Sequence, residues 1–75
     1  MKAEAILEYW TLTLPRDGQS LTCELFRTAA GLEVRCRTKA ETARSEHVSS
    51  MADGLNLSEA WRASYQSKGW VVIKR

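Results

Sequence analysis

The dipeptide Asp17-Gly18 constrains this chain more than any other feature, because it joins two stretches whose apolar residues alternate. Asp-Gly is a favoured two-residue hairpin loop, since a type I′ turn demands positive φ at both central positions. Before it, Trp10, Leu12 and Leu14 alternate with Tyr9, Thr11 and Thr13, the period-two pattern of a strand buried on one face. With Asp17-Gly18 as the loop, Arg16 faces Gln19, Leu14 faces Leu21, Leu12 faces Cys23 and Trp10 faces Leu25. The last three pairs are apolar on both sides, and a slip by one residue would destroy the match. Pro15 then falls in a non-hydrogen-bonded pair, with its missing N–H directed away from the second strand, which suits an edge strand.

The second strand, Leu21 to Arg27, meets a third through Thr28-Ala29-Ala30-Gly31, where glycine supplies the left-handed residue of the turn. The third strand, Leu32 to Lys39, alternates cleanly. A four-residue loop sets Leu25 opposite Val34 and Cys23 opposite Cys36, again apolar against apolar. Cys23 and Cys36 are thus read as cross-strand neighbours on the covered face. Two reduced thiols serving as small apolar residues are preferred there over a disulfide or a redox switch.

Ser50-Met51-Ala52-Asp53 has the pattern of a capping box, with Ser50 as N-cap and Asp53 reaching back from the third helical position. From this cap Met51, Gly54, Leu57, Ser58, Trp61 and Tyr65 share one side of a helix, and Glu59, Arg62 and Gln66 share the other. Gly54 interrupts the apolar stripe where the helix backbone would approach the sheet, and Gly69 supplies a stop. Residues 40–49 read two ways. Thr42 to Val48 makes a polar edge strand, whereas Ala40, Ala43, His47 and Met51 have helical spacing; the strand is preferred, because a cap at Ser50 has no purpose inside a helix. Trp70-Val71-Val72-Ile73 packs back as a short strand or ordered tail, or meets a second subunit.

The expected architecture is α+β: an antiparallel meander of three to four strands, one C-terminal α-helix on one face, and a short final strand. With 75 residues the chain makes one domain, 1–75, near the lower limit for an independent core, which favours a homodimer that buries more surface. Hydrophobic residues at 44% and charged residues at 27% exclude a disordered chain. The acidic start Met1-Lys2-Ala3-Glu4-Ala5 is no signal peptide, and no apolar run approaches the roughly 20 residues of a membrane span. A cytoplasmic location without membrane contact is expected.

His47 has no nucleophile and orienting group beside it, and with Cys23 and Cys36 it would give too few ligands for zinc. Ser49-Ser50 lacks a G-x-S-x-G context. No catalytic residue, metal ligand or cofactor motif is assigned, and a non-enzymatic protein is expected. The uncovered sheet face is the candidate interaction surface: Tyr9, Phe26, Arg35, Arg37 and Lys39. The register aligns rows Tyr9–Phe26–Glu33, Thr11–Glu24–Arg35 and Thr13–Thr22–Arg37 there, with Glu24 and Arg35 as a cross-strand ion pair. Rings beside cations suit single-stranded nucleic acid, whose bases stack and whose phosphates take arginine and lysine. The outline of strands followed by a helix on one face is similar to that of the Whirly single-stranded-DNA binders, a likeness of topology without a shared motif. Glu33, in the row with both rings, repels phosphate, and the five charged residues of this face leave a single net positive charge. A protein partner or self-association is therefore the first expectation, and nucleic acid the second.

Overall fold

The computed structural model describes residues 3–73. Four strands run as an antiparallel meander, β1 (Glu4–Leu14), β2 (Gln19–Thr28), β3 (Gly31–Arg37) and β4 (Thr42–Val48). Helix α1 (Met51–Gln66) then crosses one face, and β5 (Val71–Val72) adds to the free side of β1, so the sheet order is β4-β3-β2-β1-β5. The α+β architecture, the meander order and the short last strand are those expected from the sequence. Residues 42–48 are a strand, as preferred, and their exposed side chains mark them as a polar edge.

The first hairpin departs from the expected register. Leu14 pairs with Gln19, Leu12 with Leu21 and Trp10 with Cys23, two residues away from the alignment that a two-residue Asp-Gly loop would give. The carbonyl of Leu14 accepts from both Asp17 N (3.1 Å) and Gly18 N (2.9 Å), so the turn runs over Pro15 to Gly18. Only Gly18 takes positive φ (68°); Asp17 does not, and a type I′ turn needs both. The fixed φ of Pro15 suits the first central position of the wider turn. A two-residue slip preserves which side chains face the core, so the buried set survives the change. In the second hairpin the observed pairs Leu25–Val34, Cys23–Cys36, Glu24–Arg35 and Phe26–Glu33 are those read from the sequence. Gly31 carries the positive φ there (118°), and Thr28 Oγ1 closes the turn by donating to Gly31 O at 3.1 Å.

β1 is interrupted by two bulges, at Ile6 and at Tyr9, where the register with β2 shifts by one residue. At each, two neighbouring apolar residues (Ile6-Leu7 and Tyr9-Trp10) pack toward the same core, which strict alternation forbids and a bulge permits. Trp10, Leu12, Leu21, Cys23, Leu25, Val34 and Cys36 form the buried cluster, closed by Leu57, Trp61, Tyr65 and Trp70. Trp10 donates from Nε1 to Ser58 O at 2.9 Å, which satisfies its one polar atom inside the core, and its ring meets Tyr65 edge-on at 6.4 Å.

The helix begins as expected: Ser50 is extended (φ −155°) and its Oγ accepts from Asp53 N at 3.1 Å. The return half of the box differs, since the Asp53 carboxylate accepts from Ser49 Oγ at 2.8 Å. Gly54 and Ser58 are the buried residues of α1, whereas Met51, expected on the covered side, is half exposed. A Cβ built on Gly54 would lie 2.6 Å from Tyr9 Oη and 3.3 Å from Val34 Cγ2, so the absence of a side chain is what lets helix and sheet approach. Gly69, at φ 102°, ends the last turn, and Trp70 N then donates to Tyr65 O at 3.2 Å. Among the described residues no helix is long and apolar enough to cross a membrane.

Candidate functional site

The five residues singled out on the open face do not form one surface. The bulge at Tyr9 turns its ring to the helix side, where Oη donates to Met51 O at 3.4 Å. Ala5 takes the position opposite Phe26 that the uninterrupted register gave to Tyr9. The signal was present in the sequence: the consecutive apolar pairs Ile6-Leu7 and Tyr9-Trp10 break the alternation at the positions of the two bulges.

Phe26 does sit on the face opposite the helix, yet it is only 5% exposed. Among the described residues no helix or second sheet covers it; two arginines from β3 do. Arg35 Cζ lies 4.6 Å and Arg37 Cζ 5.3 Å from the ring centroid, so the ring is capped by guanidinium groups whose aliphatic stems exclude water. Each guanidinium is held in turn by a carboxylate. Arg35 pairs with Glu33 of its own strand, and Arg37 Nε donates to Glu24 Oε1 at 3.1 Å. The expected Glu24–Arg35 ion pair is not made, although the two residues face each other in the register. Arginine is long enough to reach a diagonal or same-strand carboxylate, and in those pairings both guanidiniums lie over the Phe26 ring. His47 of β4 places Nε2 3.7 Å from Glu33 Oε2 and is otherwise exposed.

Lys39 lies beyond the end of β3, in a turn held by Thr38, whose N–H donates to Glu41 O at 2.9 Å. It borders a shallow groove with Glu8, Thr22, Glu24, Thr38 and Arg37, which mixes two carboxylates with two cations. Thr11 Oγ1 donates to Glu8 Oε2 at 3.0 Å and lies 3.2 Å from Thr22 Oγ1, so the centre of this face is a closed polar network.

Cys23 and Cys36 face each other in the core as free thiols, both fully buried. The Cys23 thiol is pushed well above its ordinary value, first by the hydrogen bond with Cys36, then by burial and by the nearby Cys36 and Glu24 charges. Burial also raises the Tyr9 and Tyr65 phenols, with Arg44 opposing the shift at Tyr65. An unfolded chain releases the thiol proton near pH 9.0, whereas the folded chain keeps it. The native state then binds more protons, so stability should fall as pH rises through that value, by at most about 1.4 kcal/mol per pH unit for the Cys23 thiol. The same burial predicts that a thiol reagent modifies the native protein only through opening. The modification rate should follow denaturant-induced unfolding, and rapid labelling under fully native conditions would contradict it. Among the described residues no group of three or more His, Cys, Asp or Glu side chains could hold a metal ion.

A second surface is prominent in the structure. The two outer edges of the sheet differ in kind. β4 exposes Arg44, Glu46 and His47, with the Arg44 guanidinium 5.2 Å from the Trp61 ring. β5 and the residue after it expose Val71, Val72 and Ile73 at 45%, 40% and 37%. Ile73 N donates inward to Thr11 O at 3.0 Å, and Val72 lies opposite Leu12. Because main-chain bonds alternate along an antiparallel strand, the N–H and C=O of Val72 are directed away from β1, out of the sheet. Comparisons with family models, curated proteins and solved structures return no match for this chain.

Proposed function

We propose that this domain is a non-enzymatic interaction module that takes an extended segment of a partner onto the free edge of β5. The contrast between the two sheet edges carries the reading. Charged side chains on an edge strand are a protection against strand addition, and β4 has them. β5 has neither charge nor proline, and it presents an outward main-chain donor and acceptor between exposed apolar side chains. Those are the elements of strand addition, in which backbone bonds supply affinity and alternate side chains supply selectivity.

Nucleic acid on the open face has weaker support. The Phe26 ring is already stacked under two guanidiniums, Tyr9 lies on the other side of the sheet, and Arg35 and Arg37 are each engaged by a carboxylate. Titration of the isotope-labelled protein separates the two surfaces. A capped peptide of alternating valine and threonine should move the amides of Trp70 to Ile73 and of Thr11 and Thr13 opposite them. A single-stranded oligonucleotide at low salt should leave Arg35, Arg37 and Lys39 unmoved. Shifts of those three residues with the oligonucleotide, and none at β5 with the peptide, would overturn the proposal.

A further inference from the structure

We infer that the partner taken by the β5 edge is a second copy of this chain, joined antiparallel across a twofold axis that passes beside Val72. The inference rests on β5 being the docking edge and adds which strand fits it. The backbone sets the register. The outward N–H and C=O of Val72 make it the one residue of β5 whose main chain is turned to a newcomer. An antiparallel hydrogen-bonded pair exchanges two bonds between directly opposed residues. Val72 opposite the partner's Val72 is such a pair, and its own symmetry is a twofold axis. No other register of two β5 strands centres the outward groups on each other.

The side chains agree with that register. Val72 pairs with Leu12, a core residue, so it belongs to the helix side of the sheet. Val71 pairs with Thr13, and Ile73 bonds to Thr11, so both belong to the open side. Across the axis, Val71 faces the partner's Ile73 and Ile73 faces the partner's Val71, in the closely spaced non-hydrogen-bonded positions where side chains touch best. Every facing pair is β-branched and apolar, and no charge is brought opposite another. Pairing β5 with the β4 edge of another copy would instead set valines against Arg44 and Glu46, and would leave two free edges that propagate. The self-pairing of β5 closes.

Only a few side chains and two central main-chain bonds join the copies, well below the roughly 800 Å² per partner of a standard interface. Association is therefore expected at a dissociation constant on the order of 10⁻⁴ M. Sedimentation equilibrium from ten micromolar to millimolar protein reads it, with Val72→Pro as the decisive variant. Proline removes the outward N–H and leaves the inward bonds of Val71 and Ile73 to β1, so the fold is kept and two intersubunit bonds are lost. Dimerisation should weaken about tenfold or more. Val72→Lys, which sets two ammonium groups across the axis, should weaken it too, whereas Leu55→Lys, on an exposed helix position away from the edge, should leave it unchanged. A dimer that survives both Val72 variants, or one abolished by Leu55→Lys alone, overturns the inference. A chain still monomeric at millimolar concentration that binds the valine–threonine peptide overturns the second copy and leaves the docking edge standing. A chain that does neither removes both.

Discussion

Gly54→Val should lower the unfolding free energy by about 3 kcal/mol, seen as a lower denaturant midpoint at an unchanged m-value. The position has no room. A Cβ alone would stand 2.6 Å from Tyr9 Oη, 3.3 Å from Val34 Cγ2 and 3.4 Å from Leu25 Cδ1. Val34 and Leu25 are fully buried in the middle of the sheet, so neither can retreat without displacing its own neighbours. The branched methyls of valine extend further into the same space. Against this, replacing a glycine in the first turn of the helix gains at most about 1 kcal/mol, for alanine, and less for a β-branched residue. A domain of this size has only about 5 kcal/mol of stability in total, so the variant should keep about 2 kcal/mol and have roughly 3% of its molecules unfolded at room temperature. Gly54→Ala isolates the cause, because Tyr9 Oη is the nearest obstacle and can be removed by itself. In a Tyr9→Phe background, which gives up only the long 3.4 Å bond to Met51 O, Gly54→Ala should be less destabilising than in the native sequence by about 1 kcal/mol. If Gly54→Ala raises stability by the full helix-propensity increment in both backgrounds, the close approach of α1 to β1 is wrong.

How much of this was legible in the sequence depends on which physical rule each feature obeys. The sides of the strands followed from alternation, so Leu12, Leu21, Cys23, Leu25, Val34 and Cys36 were identifiable as core whatever the turn. The register of β1 was not, because a shift by two residues changes every partner and no face. What decides it is Pro15, whose fixed φ starts the turn earlier and leaves Gly18 as its one residue at positive φ. Ser50 named the helix start because a hydroxyl before a run of helix formers has one common use. The candidate surface was less legible. Tyr9 left it through a bulge written as two adjacent apolar residues, a break in alternation that the hairpin reading passed over. The β5 edge could not be weighed until the strand had a neighbour. Val71, Val72 and Ile73 read as a short strand, an ordered tail or a contact with a second subunit, and only pairing with β1 shows which main-chain groups are turned outward.

Phe26→Ala should destabilise the domain by about 3 kcal/mol, which makes this ring a structural element of a face that no helix covers. Phe26 is as buried as the core residue Trp10, at 5% against 6% exposure, although it lies on the other side of the sheet. Its cover is the pair of arginines, which contribute stacking over the ring and the hydrophobic length of their stems. Removing the ring opens a void under two guanidiniums that are still tied to Glu33 and Glu24. Those ties hold the arginines in place, so the void is filled by water rather than by collapse, and most of the loss in burial is retained. Phe26→Leu keeps the apolar volume but not the π face, and should recover more than half of the loss. Thermal and denaturant unfolding of the two variants read the difference. A ring reserved for ligand would behave in the opposite way: Phe26→Ala would leave stability within about 0.5 kcal/mol of the native chain. That outcome would return the open face to consideration as a binding surface, since an exposed, energetically idle phenylalanine between two arginines has no structural reason to be there.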